Sequence, residues 1–366
     1  MENNQHPKTQ EPFACSYSPQ FAEILYNLKI SLAISTYQAG KLILLCPKNE
    51  DQITQLPRNF QRPMGIALEG DRMAIATSDE VIYFKNSEQL AWHYPKNPGV
   101  YDALFVPRAT YFTSRLDIHD LEFGHDGLYA VNTSFSCIIK IDEQYSFTPV
   151  WKPSFITEIA HEDRCHLNGM AMVEGKPRYA TAFNEGNTPK SWSSTLGEQG
   201  ILIDMQSNEI LTRGLEMPHS PRYFDNKLYV LQSRNGAIAT IDTNTGAVEE
   251  IRRLNCFVRG FEKIGDYLFV AYSRIRKHSS IFGKLDVSDK SNHAGIAVIH
   301  ATTGALMAEF KYLNSVEEIY DIKIIKGYTK PNIMNTIRPE FKLSVVLPDS
   351  TFWAPLEVFE QQEKFK

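Results

Sequence analysis

The chain predicts an all-β fold, a single six-bladed β-propeller closed into a ring, and three observations lead to it. A strand-entry motif recurs at about 50-residue intervals, the range expected of propeller blades. Short alternating segments and turn clusters between the copies supply about four strands per copy. The last copy lacks its middle strands, and matching strands stand at the opposite end of the chain.

The copies are read from their anchors. His119 is followed nine positions later by Leu128-Tyr129-Ala130-Val131, and His219 by Leu228-Tyr229-Val230-Leu231 at the same distance. Arg259 leads to Leu268-Phe269-Val270-Ala271, and Met64 to Met73-Ala74-Ile75-Ala76. Asn168 leads to Arg178-Tyr179-Ala180 with one extra residue, and Tyr320 opens a sixth first strand through Ile324. Leu32 to Leu45 aligns with Leu128 to Ile141 as strand, turn, strand, with Ile53 to Leu56 as an outer strand. The N-terminus is therefore expected to complete the last blade and remove an open sheet edge. Ser18 and Pro19, followed by Phe21, Ile24, Leu25 and Leu28, read as a short capped helix. Residues 1–17 are expected to be a flexible tail, and residues 18–366 one domain.

Composition narrows the function. The formal charge of -5 argues against a nucleic-acid or membrane-binding face. Five cysteines without a CxxC pair argue against a disulfide framework, and the polar start lacks a signal-peptide core. A cytoplasmic protein is the expectation.

Topology places the candidate site. In an up-and-down blade, the entry to strand one shares a face with the loop between strands two and three. Two insertions fall in such loops, Asn184 to Gly197 and Arg274 to His293, and both are expected to cover the channel mouth. His119 and His219 share a register, and His166 lies two residues before the Asn168 anchor. Three imidazoles with a nearby carboxylate suit one divalent transition metal (zinc, iron or copper). Glu318 and Glu216 are the acid–base or fourth-ligand candidates. Tyr37, Asn132, Asn168, Asn184, Arg259 and Tyr320 are the candidate substrate contacts. Arg164 and Arg222 read equally as anion contacts or inter-blade ion pairs. Cys165 reads as a core residue, and Asp120 and Asp321 as caps of strand entries.

The stretches Ser35 to Leu42, His119 to Leu121 with Val131 to Cys137, Arg164 to Gly169 and Glu216 to Arg222 resemble a bacterial conserved-hypothetical family of domain-of-unknown-function propellers. The resemblance runs from about Phe21 to Pro355. It implies a propeller, a bacterial source and no particular activity. A remoter resemblance is to gluconolactonase-type and strictosidine-synthase-like propellers. Those lactonases hold a divalent metal through Glu, Asn and Asp, where this chain offers His, Asn, His and Arg. Two functional readings follow. One is a metal-assisted enzyme acting on a small molecule or peptide at the mouth. The other is a propeller that binds a peptide or protein there without catalysis. The oligomeric state is left open.

Overall fold

The structure is a computed structural model and describes residues 11–194, 198–275, 285, 287 and 290–355. Six antiparallel sheets form the blades. Their inner strands are Ile66–Glu69, Ile118–Gly124, Leu167–Val173, Pro218–Phe224, Phe257–Ile264 and Asp321–Lys326, for blades one to six. Each inner strand neighbours the next, and the sixth neighbours the first, so the ring is closed.

Closure takes the expected form. Blade six joins Asp321–Lys326 to Ile30–Thr36, Lys41–Pro47 and Ile53–Asn59, with Leu32 opposite Ile324 and Leu45. Ile30–Thr36 is buried throughout because both its faces are covered. Leu32 and Ile34 pack toward blade five, while Ala33 packs toward blade one. The strand's polar members Ser31, Ser35 and Thr36 are buried as well, each donating to a backbone carbonyl.

The helix Pro19–Asn27 forms where expected, and Phe21, Ile24 and Leu25 fill the seam between blades five and six. Ser18 does not cap it through its side chain; the hydroxyl accepts from the Glu309 backbone N–H at 3.0 Å. Cys15–Tyr17, at the end of the expected tail, is an edge strand on blade five, Cys15 pairing with Tyr312. Three residues are too few to show alternation. Residues 1–10 and 356–366 lie outside the described residues. Pro331–Ile333 pairs in parallel with Ala103–Phe112 and covers the edge of blade one.

The innermost ring has a three-fold pattern. The residue after each anchor is Gly65, Asp120, Gly169, Ser220, Gly260 and Asp321, in blade order. The three polar members accept from the backbone of the following blade. Asp120 Oδ2 takes the Met170 N–H at 3.0 Å, Ser220 Oγ the Gly260 N–H at 3.1 Å, and Asp321 Oδ2 the Ile66 N–H at 2.9 Å. The three glycines let the next inner strand approach closely. A Cβ at Gly65 would lie 3.1 Å from the Asp120 backbone, and one at Gly169 would lie 2.4 Å from Pro221 Cδ. Hydroxyls at the end of strand two add a second set of ties. Ser35 donates to Met64 O at 2.6 Å, Thr133 to Leu167 O at 2.6 Å, and Ser273 to Ile319 O at 3.1 Å.

Candidate functional site

The mouth is built on strained turns. Arg62, Asp117, His166 and Met217 each stand two residues before an anchor, and each has φ near +50°. Such a conformation in a non-glycine residue costs about 1–3 kcal/mol and persists only where the surroundings impose it. His119 and His219 leave the turn on inner strands. His166 occupies the turn itself, so its ring reaches the mouth from a different height.

Hydrogen bonds fix the tautomer of each imidazole. His119 Nδ1 meets the Asp117 carbonyl at 3.0 Å, which only accepts, so Nδ1 carries the proton. His219 Nδ1 lies 3.1 Å from the Met217 carbonyl and 2.7 Å from Ser233 Oγ. Ser233 spends its own proton on Val258 O, so it too accepts from the ring. His166 Nδ1 lies 3.0 Å from a carboxylate oxygen of Asp163. The Nε2 atoms keep their lone pairs and have no hydrogen-bond partner among the described residues.

The three rings do not converge equally. His119 and His219 line a void of about 10 Å³ with Asn168, Arg259 and Tyr320, room for about one water. His166 stands edge-on to His119, with ring centres 4.9 Å apart, between Phe183 and Trp192 at 4.5 and 4.2 Å. Among the described residues, no group of three or more His, Cys, Asp and Glu side chains is placed to hold a metal ion. Of the three histidines in the expected ligand set, His119 and His219 line the void, while His166 stands on the turn outside it.

Of the carboxylates, Glu318 reaches the mouth, 3.3 Å from Arg259, whose guanidinium sits 3.6 Å over the Tyr320 ring. Glu216 does not line the void; it lies 3.7 Å from Arg234. Asn168 and Tyr320 are buried there, and among the described residues Asn168 Nδ2 and the Tyr320 hydroxyl lack partners. Asn132 is placed elsewhere, its Oδ1 capping a turn through the Phe135 N–H at 3.1 Å. Asn184 braces the first insertion, donating to Ser191 at 3.0 Å. Tyr37 lines a larger cavity of about 360 Å³ beside the void, with its ring 6.3 Å from that of Tyr320. Asp117 and Asp163, the residues that hold His119 and His166, stand in the same cavity wall.

The first insertion reaches one of the three histidines, through Trp192. The indole lies 4.2 Å from the His166 ring, tilted by 38°, and donates to Asp163 Oδ2 at 2.9 Å. Residues 195–197, and 276–284, 286, 288 and 289 of the second insertion, lie outside the described residues. Ile275, Leu285 and Val287 join Phe183, Trp192, Met217 and Phe257 in one apolar cluster. Two further sequence readings resolve. Arg164 clamps Glu158, Glu162 and Asn187 below the insertion. Arg222 is buried in the channel, paired through both terminal nitrogens with Asp120 at 2.8 and 3.0 Å. Cys165 is fully buried, which pushes its thiol up to about 12 and marks it as core.

Sequence reasoning missed Asp163, the partner shared by His166 and Trp192. Its positions, three before His166 and 29 before Trp192, carry no register signal.

Burial lowers the His119 imidazole to about 4 and holds His219 well below its ordinary 6.5. The folded state then binds fewer protons than the unfolded chain between pH 6.5 and 4, so stability falls as pH falls through that window. Urea titrations at pH 7.5 and 4.5 are expected to show a smaller pH-dependent loss for His119→Gln than for wild type. An unchanged loss in the variant contradicts the assignment.

A family model for a domain of unknown function, DUF4915, matches residues 19–334. The chain belongs to this family. The match covers all six inner strands and every residue of the mouth named above. No curated protein matches the chain in sequence. Among solved structures, a chain of the nidogen/laminin complex is similar at 11% identity with a TM-score of 0.50, covering 81% of this chain and 99% of that one. A Bacteroides caccae protein of unknown function is similar at 10% identity with a TM-score of 0.48, covering 81% of this chain and 98% of that one. At such identity the first likeness speaks to the propeller fold alone. Among the described residues, no helix of this family member is long and apolar enough to cross a membrane.

Proposed function

We propose that the channel mouth is the active site of an enzyme acting on a small polar molecule, with His166 as the proton acceptor. The observation that carries this reading is the Asp163–His166–Trp192 unit. A carboxylate 3.0 Å from Nδ1 orients the imidazole, sets its tautomer and stabilises the cation formed when Nε2 takes a proton. The same carboxylate accepts from Trp192 at 2.9 Å, which fixes its own position. Arg259 and the Tyr320 hydroxyl stand beside His119 at the void, suited to steady negative charge as a proton leaves. The adjoining cavity of about 360 Å³ falls within the size range of small-molecule pockets.

The test uses a water-soluble metabolite extract incubated with wild-type protein and with His166→Asn. Mass spectrometry is expected to find a compound consumed by the wild type. Its consumption should be slower by about 10²–10⁴-fold in the variant, the usual contribution of a positioned base. Equal turnover by both proteins removes His166 from the role. Consumption by neither favours a propeller that binds at its mouth without catalysis.

A further inference from the structure

We infer that the ligand of this mouth is an uncharged, hydroxyl-rich molecule of about monosaccharide size, with one hydroxyl entering the one-water void and the ring standing in the larger cavity of about 360 Å³; the inference rests on the reading of the mouth given above. It comes from the hydrogen-bonding demands that the site leaves unmet. His119 and His219 bring lone pairs to the void, because each commits its only N–H to a carbonyl on its own turn. Asn168 Nδ2 and the Tyr320 hydroxyl bring donors to the same void. Both residues are at least nine-tenths buried, and neither atom has a partner among the described residues. Asn168 Oδ1 already accepts from the Thr181 hydroxyl at 2.8 Å, while Nδ2 has its N–H donors to offer. Buried polar atoms without partners are rare and costly, and a cluster of them points to an occupant that completes the set.

The occupant must therefore donate and accept within a few ångströms. A hydroxyl group does both. A carboxylate or phosphate accepts only, and would set its oxygens against the imidazole lone pairs. An ammonium group donates only, and would meet the donors of Asn168 and Tyr320 and the charges of Arg259 and Arg222. The Asp120 and Asp321 carboxylates that also line the void already accept from Arg222 and backbone N–H groups. The cavity wall agrees. Arg62, Arg115 and Lys190 stand against Asp117, Glu162 and Asp163, three cations to three carboxylates, so it favours neither sign of ligand charge. Alternating charged donors and acceptors also suit the ring of hydroxyls on a sugar or cyclitol.

The experiment is calorimetric titration with matched probes that share a ring and differ in charge. Neutral hexoses and inositols form one set, glucuronate and galacturonate a second, and glucosamine and galactosamine a third. Zinc chloride alone is a fourth probe. At least one neutral member is expected to bind saturably, at least tenfold tighter than its charged counterparts. Tyr320→Phe removes one hydroxyl from a buried site with little change of shape, and should weaken that binding about tenfold. Circular dichroism confirms that the variant is folded. Tighter binding of a charged member overturns the ligand class but leaves the mouth as the site, provided Tyr320→Phe still weakens it. Stoichiometric zinc binding that is lost in His219→Gln overturns the class in favour of a metal centre. Binding by none of the probes also overturns it, and the His166→Asn comparison then decides separately whether the mouth is catalytic.

Discussion

Arg222→Met is expected to destabilise the protein by about 3–5 kcal/mol, the cost of removing one partner from a fully buried ion pair. Arg222 reaches from blade four across the channel to Asp120 of blade two. It also lies 3.6 Å from Glu122 and 3.9 Å from Asp321. Lys323 pairs with Glu122 and lies 3.7 Å from Glu262. Two cations thus face four carboxylates, Asp120 and Asp321 buried and Glu122 and Glu262 partly so, and the substitution leaves Lys323 alone among them. Burial already raises Asp321 and Glu122 above the usual carboxylate range. A carboxyl raised in the folded state contributes stability below its unfolded value, and that contribution is lost as pH rises through the folded value. Removing Arg222 raises both further, so the gap between wild type and variant should narrow as pH falls from 7.5 toward 5. Urea unfolding at several pH values measures it. A gap under 1 kcal/mol at neutral pH, or one that widens in acid, contradicts the account. The double change D120N/R222M should lose less than the sum of its parts, because the two side chains contact each other directly.

Gly260→Ala is expected to cost about 2–4 kcal/mol, from two sources that a second variant separates. Gly260 has φ of +80°, where an L-residue is strained. Its Cβ would also lie 3.0 Å from Asp321 Cα, and backbone there cannot move without shifting blade six. Gly70 has φ of +58°, and a Cβ there would meet nothing within 4 Å, so Gly70→Ala carries the backbone cost alone. Thermal and urea unfolding should show Gly260→Ala losing at least 1 kcal/mol more than Gly70→Ala. Equal losses would show that the close approach of blades five and six is unimportant.

Much of the architecture was legible because a propeller repeats itself. Each blade needs an apolar strand at the same offset from its entry, so Leu128, Leu228 and Leu268 could be aligned without knowing what they touch. Closure was legible for the same reason, since Ile30–Thr36 is a middle strand missing from the end of the chain. Topology alone also placed the insertion carrying Trp192 on the face where His166 stands. The alternation of Gly65, Asp120, Gly169, Ser220, Gly260 and Asp321 stood in plain view one residue past each anchor. Its meaning was hidden, because a glycine that admits a neighbouring strand and one that forms a turn look alike in a sequence.

What the sequence by itself determined is the fold and the end of the channel where the polar residues gather, both consequences of periodic spacing. The tertiary structure alone decided how those residues are grouped. It turned Glu216 toward Arg234, drew Asp163 into contact with His166 and Trp192, and sent Arg222 across the channel to Asp120. It also set His166 on a left-handed turn, outside the void shared by His119 and His219. Register states which residues share a height on the ring. The direction of a side chain depends on backbone φ at one turn and on partners from three to 102 positions away, and no local pattern carries that information.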